Sequence, residues 1–263
     1  MSTLHVFAGS IDHPARPEIR RIGFADLGDA LKRGIDDFRA MPSHVIFLSL
    51  LYPIVGLVLA RLSFGYDVVP LLFPLVAGFA LIGPFVALGL YELSRRREQG
   101  LPVSWTDAFG VLRNPSIDSI ALLGGFLMLL FVIWLAVAES LYEGLFGYGT
   151  PESIGAFLAD VFGTAHGRTL LVAGNAIGFA FALAVLVISV VSFPMLLDRD
   201  VGAVRAIETS VRAVIRNPVA IAAWGLMVAV ALAVGSLPFF IGLAVVLPVL
   251  AHATWHLYRK VVV

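Results

Sequence analysis

His252 and His256 stand four residues apart in the run AHATWHLYRK, so a helix would set both imidazoles on one face. Imidazoles in that arrangement can bind a transition metal or haem, with His44 as a third candidate near the same membrane side. A haem pair wants ligands on opposed helices, however, and His44 is the only partner on offer. The other reading makes Trp255, His256 and Tyr258 the aromatic belt of a helix end, with His252 as a deeper polar contact. Asn175, within Gly174-Asn175-Ala176-Ile177-Gly178, is the second candidate. An amide inside a span either meets a polar substrate or hydrogen-bonds across helices beside a stripe of small residues. Gly174, Gly178 and Ala182 supply such a stripe, and Gly225, Ala229 and Ala233 supply a matching one. No Gly-rich phosphate loop, nucleophile motif or paired carboxylates occur in an aqueous segment, and there is no cysteine for thiolate, disulfide or iron–sulfur chemistry. The expectation is therefore a non-enzymatic chain with no cofactor and no metal.

The elements that hold these residues follow from composition. Of 263 residues, 59 % are hydrophobic and 14 % charged, against about 25 % charged in a soluble domain. Mean hydropathy is +0.94. The net charge is +0, which gives nucleic acid no purchase. A helix needs about 20 mostly apolar residues to cross a bilayer, and six runs qualify: 43–61, 68–91, 117–138, 170–197, 219–236 and 238–258. Pro194 offers the fourth a place to kink. Sixteen of the eighteen basic residues fall before Pro42, in 92–116, in 198–218 or after the last run. Cytoplasmic loops hold the excess of Lys and Arg, so both termini are expected inside and the 139–169 loop outside. The polar first forty residues balance acids with bases, unlike a secretory signal or a mitochondrial presequence.

Arg-Asn-Pro occurs twice, as Arg113-Asn114-Pro115 and Arg216-Asn217-Pro218, each at the threshold of an apolar run. A short amphipathic stretch precedes each copy. Trp105, Ala108, Phe109 and Leu112 make one stripe, and Val204, Ile207, Val211 and Val214 the other. An asparagine N-cap followed by proline at the first helical position suits a corner between an interfacial helix and a span, with the arginine at headgroup level. A weaker copy, Phe24, Leu27, Leu31, Ile35 and Phe38 followed by Met41-Pro42, opens the chain. Prolines recur near the cytoplasmic end of each second span at Pro84, Pro194 and Pro248. The fold expected is all-α: a polytopic membrane bundle of six transmembrane helices in three hairpins, each preceded by an amphipathic interfacial helix. After a tail at 1–23, residues 24–263 form one transmembrane domain with repeat-like units 24–99, 100–199 and 200–263. Thr150-Pro151-Glu152 reads as the start of a further amphipathic helix in the external loop.

The stretches LIGPFVALGLYELSRRREQG (81–100) and FPMLLDRDVGAVRAIETSVRAVIRNP (193–218) resemble the predicted integral membrane proteins of domain of unknown function 2189. The resemblance implies a bacterial, multispanning inner-membrane protein and carries over no catalytic or ligand residue. Two functions stay open. One is an accessory, assembly or envelope-organising factor whose partners are the lipid bilayer and another membrane protein or a second copy. The other is a small-molecule transporter or permease, which would usually place ionisable groups near the midplane. Charges here lie at span ends: Arg61, Glu92, Asp118 and Glu139.

Overall fold

The computed structural model describes residues 17–41, 70–71, 73–75, 83–149, 151, 153–237 and 242–263. These form helices α1 (Phe24–Ala40), α2 (Gly83–Val86), α3 (Leu88–Glu98), the 3-10 helix η1 (Trp105–Arg113), α4 (Ile117–Phe146), α5 (Ile154–Gly163), α6 (Ala165–Ser189), α7 (Ser192–Asp198), α8 (Ala203–Arg216), α9 (Pro218–Ser236) and α10 (Leu243–Val261). No strand is present among the described residues. One isolated antiparallel bridge, Ile19 with Val262, pairs the N-terminal segment with the C-terminal one.

Three helical stretches are long and apolar enough to cross a membrane: Ile117–Phe146, Ala165–Asp198 and Pro218–Ser236. No more than 33 % of the most apolar window of any of them is buried by the rest of the protein. A soluble fold rarely leaves so much contiguous apolar surface uncovered, whereas lipid demands it. The first expected span, 43–61, lies outside the described residues, as does most of the second before Gly83. The sixth run coincides with α10, but that helix carries Arg259 and Lys260 in its last turn and is not among the three.

The chain divides into two compact units. Unit 1 holds 1–53, 84–124 and 186–263; unit 2 holds 54–83 and 125–185. In unit 2, Trp134 donates from Nε1 to the Pro74 carbonyl at 2.8 Å and packs on Phe181. Gly178 lies under the Trp134 ring, where an added Cβ would come within 3.0 Å of the ring edge. The helix expected in the 139–169 loop is present, but its cap is Ser153, whose Oγ accepts from Ala156 N at 3.1 Å. The start therefore falls after Thr150-Pro151-Glu152, because a serine hydroxyl at that position satisfies the first-turn N–H.

In unit 1 the apolar run of α6 breaks at Val190–Val191, just before Pro194 in α7. A proline cannot donate to the carbonyl four residues back, so the break falls where the ladder lacks a donor. Ser210 of α8 mends it: its Oγ accepts from Val191 N at 3.3 Å and donates to the Val187 carbonyl at 2.7 Å. Gly202, with φ +73°, makes the turn from α7 into α8.

All three amphipathic elements differ from the expected stripes in one informative way. Because η1 is a 3-10 helix, residues three apart share its face. Ala108 and Val111 are therefore buried, while Phe109 and Leu112 stay exposed. On α8 the buried face is the small one, Ala203, Ala206, Thr209, Ser210 and Ala213, and Val204 stays exposed. On α1 the buried face is Leu27, Ala30, Gly34 and Asp37, with Phe24 exposed. Small faces let backbones approach closely, and the larger apolar side chains are left for the surroundings.

Candidate functional site

A close helix approach in unit 1 joins α1 to α10. A Cβ on Gly34 would lie 2.7 Å from Ala253 Cβ, from Ala253 N and from the Val249 carbonyl oxygen. That contact brings Asp37, one turn on, against the face of α10 that presents His252 and His256. Ser94 and Arg97, three residues apart on α3, reach the same carboxylate. Asp37 Oδ2 accepts from Ser94 Oγ at 2.6 Å and from His256 Nε2 at 2.9 Å, and Oδ1 pairs with Arg97 Nη1. Ser94 Oγ also lies 2.6 Å from His252 Nδ1.

An ionised carboxylate can only accept, so the Ser94 hydroxyl and His256 Nε2 both donate to it. The single Ser94 proton being committed, His252 Nδ1 must donate to Ser94 Oγ. His252 Nε2 is then a bare lone pair, buried and without a hydrogen-bond partner among the described residues. Burial pushes the Asp37 carboxyl up. The hydrogen bonds from His256 and Ser94 outweigh that and hold it below its ordinary value.

A second layer of polar contacts surrounds the first. Trp255 Nε1 donates to Glu98 at 3.0 Å, Tyr258 Oη donates to Asp198 at 2.7 Å, and Arg259 reaches Glu98 at 3.1 Å. Lys260 pairs with Asp29 at 2.9 Å and Asp26 at 3.3 Å; these bonds, led by Asp29, push its ammonium pKa up. The aromatic-belt reading of Trp255, His256 and Tyr258 is therefore corrected: all three are buried, and each polar tip meets an acid on α1, α3 or α7. Amphipathic side chains suit a lipid interface and a half-polar protein interior equally well, and here the acids decide.

Serine, histidine and aspartate are the residue types of nucleophilic catalysis, but the order differs. In a catalytic triad the imidazole stands between hydroxyl and carboxylate. Here the hydroxyl stands between imidazole and carboxylate, and Ser94 and His252 are both 0 % exposed. What this arrangement does is join three helices. Among the described residues no three His, Asp or Glu side chains converge in a metal-holding group. His44 lies outside the described residues.

The other sequence candidates fall elsewhere. Asn175, in unit 2, is exposed and donates from Nδ2 to the Leu171 carbonyl of its own helix at 2.7 Å. At the first corner both polar atoms of the Asn114 side chain are engaged. Asn114 Oδ1 accepts from Ser116 N at 2.8 Å, Pro115 opens the turn into α4, and Nδ2 donates to the Leu197 carbonyl at 3.0 Å. The second is corrected in part. Pro218 does open α9, but the Asn217 side chain does not cap it. Its Oδ1 accepts from Ile22 N at 2.8 Å and its Nδ2 donates to the Arg20 carbonyl at 3.1 Å, so it clasps the N-terminal segment. That extended segment offers a donor and an acceptor two residues apart, which competes with the helix end for the same amide. Arg113 and Arg216 are exposed. Sequence reasoning missed Asp37, Ser94 and Arg97. The signal for Asp37 was present: it continues the Leu27, Ala30, Gly34 face at helical period.

A helical chain with three lipid-length apolar helices among its described residues is an integral membrane protein by class. Residues 71–198, just under half of the chain, match the model of the family described as predicted integral membrane protein (DUF2189). The match contains the whole of the first stretch that carried the resemblance and the beginning of the second. No curated protein and no solved structure matches the chain.

Proposed function

We propose that the protein is a non-enzymatic accessory or assembly factor of a bacterial inner membrane, with six crossings in three hairpins and both ends cytoplasmic. The observation that carries this reading is the sealed cluster. Asp37, Ser94, Arg97 and His256 spend their hydrogen bonds on holding α1 to α3 and α10, and no substrate reaches the fully buried Ser94 hydroxyl. The result is a rigid module whose amphipathic elements turn Phe24, Phe109, Leu112 and Val204 outward. Such a surface suits the bilayer interface and the helices of a partner. Direct pairing of Glu18–Arg20 with Val261–Val263 supports one side for the segments flanking the first and last runs, and so an even number of crossings. The bias of basic residues favours the cytoplasm as that side.

The test has two arms. A fluorophosphonate probe applied to native membranes is expected to leave Ser94 unlabelled; labelling that Ser94→Ala abolishes would make the protein a serine-dependent enzyme. Proteoliposomes are expected to show no energy-coupled uptake over a broad metabolite panel. Proton- or sodium-driven uptake lost in Asn175→Leu would make it a transporter instead.

A further inference from the structure

The two Arg-Asn-Pro corners are built from the same residues but are covered differently. At the second, Asn217 is occupied by the chain's own segment through Ile22 N and the Arg20 carbonyl. At the first, Asn114 donates to the Leu197 carbonyl of α7 instead, and a cleft of about 280 Å³ opens beside it. Pockets that enclose drug-sized ligands run from roughly 300 to 1,000 Å³, so this one takes a smaller group. Its lining is charged with both signs: Arg95, Arg113 and Arg199 against Glu92, Asp198 and Asp200.

Those charges are not equally free. Glu92 holds Arg95 through two hydrogen bonds of 2.7 and 2.9 Å. Asp198 accepts from Tyr258 and lies 3.5 Å from both Arg199 Nε and Arg259 Nη1, all through Oδ2. Asp200 meets the buried Ser116 hydroxyl at 3.4 Å. Arg113 alone of the three arginines makes no hydrogen bond or ion pair with the described residues, and it stands exposed at the cleft. A guanidinium with its fork unspent is a phosphate receptor, and carboxylates across a small cleft suit an ammonium. The neighbouring residues point to where such a molecule comes from. Leu112, 68 % exposed, and Phe109, 53 % exposed, stand beside the cleft on η1, and Leu122 is exposed on α4 below it. This apolar apron is what acyl chains would lie against.

We propose that the first Arg-Asn-Pro corner is a binding site for a zwitterionic phospholipid headgroup, with the phosphate on Arg113 and the ammonium on Asp200 and Asp198. Asn114 and Ser116 fix the rim rather than bind, because their side chains are already engaged. This site is separate from the sealed cluster and does not depend on the accessory role.

The full chain is purified in detergent, and its retention of phosphatidylethanolamine, phosphatidylglycerol and phosphatidylcholine is compared by native mass spectrometry. Wild type is expected to retain phosphatidylethanolamine preferentially. Arg113→Gln, an exposed change that spares the fold, is expected to weaken retention about tenfold, as for one charge-assisted contact. Asp200→Asn is expected to erase the preference over phosphatidylglycerol, and Arg216→Gln to change nothing. Equal retention of all three lipids by wild type, or retention untouched by Arg113→Gln, overturns the proposal. Displacement of the lipid by free phosphoethanolamine or inorganic phosphate at comparable concentration would overturn the lipid source and make the ligand water-soluble.

Discussion

Gly34→Ala tests whether the close crossing of α1 and α10 holds the module together. The new methyl would sit 2.7 Å from Ala253 Cβ, Ala253 N and the Val249 oxygen, two of which are backbone and cannot move aside alone. Ordinary carbon contacts lie at about 3.5–4.0 Å, so the helices must part by about 1 Å. Overpacking of this kind costs about 1–3 kcal/mol. Alanine also favours the helix over glycine by about 1 kcal/mol, but α1 keeps that gain whether docked or free, so it leaves the docking equilibrium alone. Parting the helices further stretches the 2.9 Å bond from His256 to Asp37. A net loss of about 2 kcal/mol raises the undocked fraction about 30-fold. The chain has no cysteine, so Ala30→Cys on the buried face of α1 is a unique reporter thiol. Its maleimide labelling rate in native membranes should rise in the Gly34→Ala background by roughly that factor. Adding Ala253→Gly should restore protection only in part, since two of the three clashing atoms are backbone. An unchanged or slower rate in Gly34→Ala would refute the crossing as the element that holds α1.

Four further outcomes follow from the same contacts. Asn217→Leu should mobilise a nitroxide placed at exposed Arg21→Cys while leaving the helicity of α9 intact, because Asn217 clasps Ile22 and Arg20 rather than capping the helix; Asn114→Ala, which removes a cap, should instead cost about 1 kcal/mol in detergent unfolding. The Asp37 carboxyl lies below its ordinary value of 3.8, so its contribution to docking is complete above that pH and lost as pH falls through the depressed value; the Arg21→Cys label should loosen only in acid, and Asp37→Asn should abolish that transition. Ser210→Ala leaves Val191 N and the Val187 carbonyl without their partner at the helix break, and should cost about 1–3 kcal/mol, read as a lowered melting temperature. Reporter fusions after Tyr148 should be active only with a periplasmic reporter, and those after Gly100 or Arg205 only with a cytoplasmic one; a periplasmic signal at Arg205 refutes the six-crossing topology.

Long-period features were legible in the sequence. Apolar length alone marks α4, the α6–α7 stretch and α9, and Pro194 anticipates the break that Ser210 repairs. The Asn114-Pro115 corner also reads correctly, since capping is a local competition among a few adjacent groups. Local rules failed where a distant segment outbid the local one. Asn217 has the same neighbours in sequence as Asn114, yet Ile22 and Arg20, nearly 200 residues away, take its amide. Nothing in the two Arg-Asn-Pro motifs separates these outcomes. On η1 three residues of the expected stripe, Trp105, Phe109 and Leu112, are exposed, but Ala108 is buried, because the segment winds with three residues per turn rather than 3.6.

His256 shows how far such reasoning reaches. A histidine near a helix end, flanked by tryptophan and tyrosine, has the composition of a lipid-facing belt. The same composition serves a buried face if acids stand opposite. Three do: Asp37 for His256, Glu98 for Trp255 and Asp198 for Tyr258. The discriminating fact is the charge pattern of the partner helices rather than that of α10. Asp37 lies on the small-residue face of α1, where an unpaired carboxylate would be too costly to bury. That placement alone demands a donor on whatever helix covers α1. Among the described helices, α10 supplies it with the imidazole of His256, and α3 adds Ser94 and Arg97. A buried acid at helical period beside a glycine is therefore the readable sign of a docked helix, and it points to its own partner by the donors that partner must carry.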